Sequence, residues 1–172
     1  MHLPIGPGVL RSWRVEDAPS LARHADNVRV WANLRDRFPN PYTVEDAESW
    51  IRHCLRSAPA TDFAIVVAGE PVGGIGLVLQ QDVERIGAEI GFWLGEALWG
   101  RGIMTAAVSA FAPWALDYYR LERLYAFVFE FNAGSARVLE KAGFVQEGRL
   151  KRAAVKQGRV IDQLLYARVR GA

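Results

Sequence analysis

Hydrophobic and polar positions divide the chain into short segments of two periods. Val9–Arg14 reads as a strand. Glu16 and Asp17 then open a helix with Pro19 in its first turn and apolar positions at Leu21 and Ala25. A second short helix is predicted over Val28–Leu34, before a loop, Arg35–Tyr42, that carries two prolines. Thr43 and Asp46 have the spacing of a capping box, and Ala47, Trp50, Ile51, Cys54, Leu55 and Ala58 follow at helical spacing as one apolar stripe. From Asp62 the period changes to that of strands: Phe63–Ala68, Val72–Gln80 and Ile86–Leu94 should form an antiparallel meander. A glycine-bearing loop, Gly95–Gly102, leads into a helix over Ile103–Tyr119, in which Pro113 predicts a kink or a break. Leu124–Phe129 is a strand, Ser135–Ala142 a helix ended by Gly143, and Phe144–Gly148 the start of another strand. Lys156–Arg159 has the look of a hairpin turn before a last strand, Ile161–Val169. The order predicts one α+β domain, residues 1–172, built on a mixed sheet.

Composition narrows the function classes. With 51% apolar and 23% charged residues the chain has the balance of a globular protein. A net charge of +2, with arginines scattered among carboxylates, gives no footprint for nucleic acid. Met1–Gly8 lacks a basic segment followed by an apolar run, and no stretch approaches the roughly 18 apolar residues of a membrane span. A cytoplasmic protein without a membrane partner is expected. The single cysteine, Cys54, falls on the apolar stripe and reads as core rather than nucleophile. His2, His24 and His53 lack the spacing of a zinc site, so no metal is expected.

The most informative stretch runs from Glu89 to Thr105. A strand delivers the chain to a glycine-rich turn, and the turn opens a helix whose first amides have no partner within the helix. Free N–H groups and the positive end of the helix dipole both favour phosphate there, and Gly100 and Gly102 let the backbone come close. A plain strand-to-helix turn would use the same glycines. The loop has no lysine of the kind a P-loop needs, which disfavours nucleotide hydrolysis. Gly73, Gly74 and Gly76 are followed by Leu77-Val78-Leu79 rather than a helix, so they read as strand glycines allowing close backbone approach.

The sequence resembles the GNAT superfamily of acetyltransferases, and within it the branch of Rim-type ribosomal-protein N-terminal acetyltransferases. Trp99–Met104 occupies the positions of the superfamily's pyrophosphate loop, Gln/Arg-x-x-Gly-x-Gly/Ala, matching strictly at Gly102. Leu98–Thr105 follows the Tyr-Trp-Gly-Lys-Gly-Tyr-Ala-Thr of that branch more closely, with Met104 at a small-residue position. About thirty residues on, Asn132–Phe144 is similar to Asn-x-x-Ser-x-x-x-x-Glu-Lys-x-Gly-Phe.

The resemblance implies a mostly antiparallel sheet of about six to seven strands, in which a splayed strand pair holds CoA. It implies that acetyl-CoA is the co-substrate and that a primary amine attacks its thioester directly. Backbone at Trp93 and Leu94 would hold the pantetheine arm and supply an oxyanion donor, while Trp99, Gly100, Arg101, Gly102, Ile103, Met104 and Thr105 would cradle the pyrophosphate. Glu89, which shares a strand face with Gly91 and Trp93, would take the amine's proton, and Ser135 would return one to the leaving thiolate. A glutamate on a solvent face and a helix-capping serine are the structural alternatives. Asn132 would hold the pantetheine amides or the turn, and Arg137 would approach the phosphates. Leu139 stands where many relatives carry a tyrosine acid, and Glu130 is a further acidic residue placed to face the amine. The acceptor is a small-molecule amine or a protein N-terminus, with a homodimer among the expected states. Trp31, Phe38, Tyr42 and Trp50 lie where the branch builds its acceptor groove, although aromatics at such spacing are more often core. The alternative function is a non-catalytic acyl-CoA-binding regulator.

Overall fold

The computed structural model describes residues 1–171. Eight strands form one sheet in the order β1-β2-β3-β4-β5-β6-β8-β7, one or two more than the resemblance implied. The additional strand is β1 (His2–Pro4), which pairs with β2 (Gly8–Ser12). Three residues are too few to show an alternation, and Pro4 is tolerated because the strand lies at a sheet edge. The contacts of the chain group into two compact units, Met1–Gly76 with Phe92–Ala107, and Leu77–Gly91 with Val108 onward.

In the first unit a short 3₁₀ turn precedes α1 (Ala18–Ala25), which has its proline in the first turn as expected, and α2 (Val28–Trp31) follows. The capping box of α3 (Val44–Arg56) is built as read: the Asp46 N–H donates to Thr43 Oγ1 at 3.2 Å, and the Thr43 N–H to Asp46 Oδ2 at 2.9 Å. The buried stripe is narrower than expected. Ala47, Ile51 and Cys54 are buried with Leu21, Ala25, Tyr42, Ala64 and Val66, whereas Trp50 and Leu55 are 38% and 51% exposed on the two margins of the helix face. Ala58 lies past the helix end. Strand β3 (Asp62–Val67) runs antiparallel to β4 (Glu70–Leu79).

Strand β5 (Gly87–Leu94) runs antiparallel to β4, because the Gln80 N–H donates to Gly87 O at 3.0 Å and the Gly95 N–H to Val72 O at 2.8 Å. The three runs therefore make the expected meander. The glycines of β4 serve close approach: a Cβ at Gly73 would lie 2.4 Å from Trp93 O, and one at Gly76 2.2 Å from Asp62 Oδ1.

Helix α4 (Ile103–Tyr118) continues through Pro113, so of the expected kink or break there is no break. The carbonyl that proline leaves unpaired belongs to Ser109, which is exposed and open to water. In the second unit Val108, Phe111, Ala112 and Ala115 pack in a core with Leu124, Val128, Leu139 and Phe144. Strand β6 (Arg123–Phe129) runs parallel to β5 and antiparallel to β8 (Arg159–Val169). Helix α5 (Ala133–Lys141) begins two residues before the expected Ser135 and is closed off by Ala142 and Gly143, the latter at a φ of +82°. Strand β7 (Val145–Lys156) extends well beyond the expected Phe144–Gly148 and turns into β8 through Gln157 and Gly158, both at positive φ. Its register shifts and the charged Arg149-Leu150-Lys151-Arg152 run hide its period in the sequence.

Candidate functional site

The loop from Leu94 to Thr105 is shaped by bonds of its own residues. The Trp99 indole N–H donates to Leu94 O at 2.7 Å and closes a 3₁₀ turn over Glu96–Leu98. Gly100 and Gly102 have φ of +74° and +75°, the left-handed region that side chains avoid, and a Cβ at either would meet nothing within 4 Å. The space beside both is open. Ile103 and Met104 are buried, so their side chains are spent on the core and only their amides face the loop. Burial accounts for a methionine at a position usually small. Arg101 is exposed and has no ionic partner among the described residues.

Sequence reading missed the residues that brace this loop. Glu96 accepts from Asn27 Nδ2 at 2.8 Å and forms an ion pair with Arg29, whose guanidinium lies 5.8 Å from the centre of the Trp99 ring. No local spacing announces them.

On β5, Leu94 is buried and Trp93 half-buried, with its ring edge-on to Phe38 at 5.7 Å. Phe38 also packs on Tyr42 at 4.8 Å, and both belong to or border the core, which is the structural reading of these aromatics. Burial raises the Tyr42 phenol above its ordinary range. Trp50 stacks on His53 at 5.5 Å instead of entering that core. Burial likewise pushes the Cys54 thiol up to about 12, which suits a core residue and not a nucleophile. Glu89 is half-buried. The ladder between β5 and β6 covers Gly87–Glu89 against Arg123–Tyr125, so it ends at this glutamate although β5 runs on to Leu94.

At the start of α5, Asn132 is the cap in place of Ser135. Its Oδ1 accepts from the Ser135 N–H at 3.0 Å, and its Nδ2 donates to Ser135 Oγ at 2.9 Å. These two bonds hold the turn, one of the two roles considered for Asn132. Ser135 Oγ acts as acceptor in this pair, which leaves its own proton for another acceptor. Arg137 is exposed and without an ionic partner among the described residues. Leu139 is fully buried, so its position faces the core. Glu130 does not stand ready for an amine: it is ion-paired with Arg149 and accepts the Asp162 N–H at 3.1 Å.

The acetyltransferase (GNAT) domain family matches residues 9–145. A Bacillus licheniformis protein described as the uncharacterized N-acetyltransferase p20 is 28% identical over 162 residues, which cover 92% of this chain and 90% of that protein. The ribosomal-protein-serine acetyltransferase of Escherichia coli (strain K12) is 33% identical over 97 residues, 55% of this chain and 54% of its own. The solved structure of Mycobacterium smegmatis RimJ in complex with CoA-disulfide superposes with a TM-score of 0.85 at 27% identity, covering 99% of this chain and 86% of that one. With a family match that spans most of its length, this chain belongs to the GNAT family of acetyltransferases, which use acetyl-CoA on an amine acceptor.

Proposed function

We propose that the chain is a cytoplasmic N-acetyltransferase of the Rim-type branch, acetylating a primary amine on a protein N-terminus or a small molecule by direct attack on the thioester of acetyl-CoA. The observation that carries this reading is the Trp99–Thr105 loop, with two glycines at positive φ and the side chains of Ile103 and Met104 turned into the core. The amides of the first turn of α4 are thereby left for a pyrophosphate. Arg101 and Arg137, exposed and uncommitted, suit the remaining anionic charge. Trp93 and Leu94 would offer strand backbone to the pantetheine arm, a role supported by the ladder to β6 ending at Glu89.

The thioester supplies an electrophilic carbonyl carbon and a thiolate leaving group. The amine nitrogen bonds to that carbon, the C–S bond breaks, and protons are moved at each end. An α-amine has a pKa of about 8 and a lysine amine about 10.4, so at neutral pH most molecules arrive protonated. Glu89 takes that proton, directly or through a water, and Ser135, whose oxygen already accepts from Asn132, returns one to the thiolate.

Incubation with acetyl-CoA and a library of amines and peptides, followed by free thiol, tests the reading. Glu89→Gln should lower turnover about 100-fold with acetyl-CoA affinity retained, and higher pH should partly rescue it. Ser135→Ala should cost about tenfold, without that rescue. Wild-type rates and pH dependence in both variants would remove these roles. The burial of Leu139 where a tyrosine acid would stand favours a second reading, a non-catalytic acyl-CoA-binding regulator; turnover with any amine disposes of it.

A further inference from the structure

Outside the elements used above, the first unit holds a carboxylate with no ionic partner. Asp62, at the start of β3, faces Gly76 across the β3–β4 ladder, and its Oδ1 occupies the space that a Cβ at Gly76 would fill, at 2.2 Å. Its Oδ2 accepts from Thr61 Oγ1 at 2.8 Å. Among the described residues Oδ1 has no hydrogen-bond donor, yet it is not sealed from solvent. The titratable groups that act on it are His53 of α3 and Arg37, from the loop before α3; both are exposed and neither closes an ion pair on it. Burial raises the Asp62 carboxyl above its usual range, with the Thr61 hydrogen bond, and then His53 and Arg37, pulling the other way. A carboxylate kept in such a place with one hydrogen bond and no ion pair is costly unless something cationic completes it.

The surroundings indicate what that is. One row along the same sheet face, Gly74 faces Ala64, and the Trp93 indole fills the space above Gly74, its Nε1 2.9 Å from where a Cβ would stand. The Asp62 carboxylate and the Trp93 ring therefore sit in neighbouring rows, about 7 Å apart along the strands. Phe38 packs against that ring. A carboxylate with an aromatic ring in the next row suits a cationic group. Strands β3 and β5 are separated by β4, so Asp62 lies two strand spacings across the sheet and two to three residues along it, roughly 12 to 14 Å, from the backbone of Trp93 and Leu94. That is too far to hold the amine being acetylated.

We infer that Asp62 is a specificity-determining residue that binds a second positive charge on the acceptor, an ammonium or guanidinium roughly 12 Å from the amine that reacts. The inference rests on the placing of the thioester beside Trp93 and Leu94 under the proposed function. The acceptor class is then a dicationic amine: a linear polyamine, or a peptide with lysine or arginine within its first few residues.

Two probe pairs separate these sources: 1,8-diaminooctane against octylamine, and a pentapeptide with lysine at its third position against its norleucine counterpart. With wild-type protein the dicationic member of at least one pair should have the higher kcat/KM, by about tenfold and mostly through KM. Asp62→Asn should abolish that preference, leaving the monocationic acceptors and acetyl-CoA affinity unchanged, and Asp62→Glu should retain part of it. The same preference in wild type should shrink with added salt, a reading that does not depend on any variant folding. Equal loss on both members of each pair, no preference in wild type, or no effect of Asp62→Asn overturns the inference. If no amine releases thiol, the proposed function has failed instead. Calorimetry of 1,8-diaminooctane against wild type and Asp62→Asn then decides the site: binding lost in the variant sustains it, and equal or absent binding overturns it.

Discussion

The indole of Trp99 donates its N–H to the carbonyl of Leu94 at 2.7 Å, across the turn that joins the last residue of β5 to the glycine loop. The bond fixes where the strand ends and where the loop begins. Trp99→Phe keeps a ring beneath Arg29 but leaves the Leu94 carbonyl without that donor. Acetyl-CoA affinity should fall by about 1 kcal/mol, roughly fivefold. Calorimetry checks it, and an unchanged dissociation constant would mean that the loop holds its shape without this bond.

Gly102 separates strain from charge. At φ of +75° any L-residue is strained, so Gly102→Ala should destabilise the fold by about 1 kcal/mol. Gly102→Glu adds an anion where phosphate is proposed to sit, and should weaken acetyl-CoA binding by well over tenfold at a melting temperature close to that of Gly102→Ala. Equal affinity in the two variants would place the pyrophosphate elsewhere.

Gly73 and Gly91 make a matched pair on adjoining strands. A Cβ at Gly73 would lie 2.4 Å from the Trp93 carbonyl, a backbone atom that cannot swing aside, whereas one at Gly91 would meet nothing within 4 Å. Gly73→Ala should cost about 2 kcal/mol of stability. Gly91→Ala should be neutral or mildly stabilising, through the smaller conformational freedom of its unfolded chain. Chemical denaturation of both gives the comparison, and similar midpoints would contradict the close approach of β4 to Trp93.

Glu70 couples stability to acid. Hydrogen bonds from Arg23, then His24 and Ser20, hold its carboxyl down to about 2 from an ordinary 4.5. A depressed folded pKa contributes stability that is complete above about 4.5 and lost as pH falls towards 2. The side chain is 43% exposed, so screening by water should keep the contribution below about 1 kcal/mol. The melting-temperature advantage of wild type over Glu70→Gln should accordingly vanish across that window. A constant difference from neutral to acid pH would refute the coupling.

What the sequence determined by itself was whatever neighbours in the chain settle between themselves. The capping box of α3 joins residues three apart, and Asn132 caps α5 through Ser135 at the same separation. The left-handed turns at Gly100, Gly102, Gly143 and Gly158 fall on glycine because only glycine adopts them without strain. Short-range bonds and steric limits are written in the adjacent residues, so the capping box and the glycine turns could be read before any coordinates, whereas the start of α5 was expected two residues late, at Ser135. Register and packing were decided by the tertiary structure alone. Glu96 is braced by Asn27 and Arg29, nearly seventy residues away, and Glu130 is taken by Arg149 once β8 lies beside β6. Asp62 comes to rest over Gly76 because the β3–β4 register puts them opposite each other. Trp50 and Leu55 share the helical spacing of the core residues, yet stay exposed at the margins of a stripe of which Ala47, Ile51 and Cys54 alone enter the core. Such pairings depend on how strands align and how helix faces meet them, energies summed over many residues distant in the chain, and no single stretch of sequence contains them.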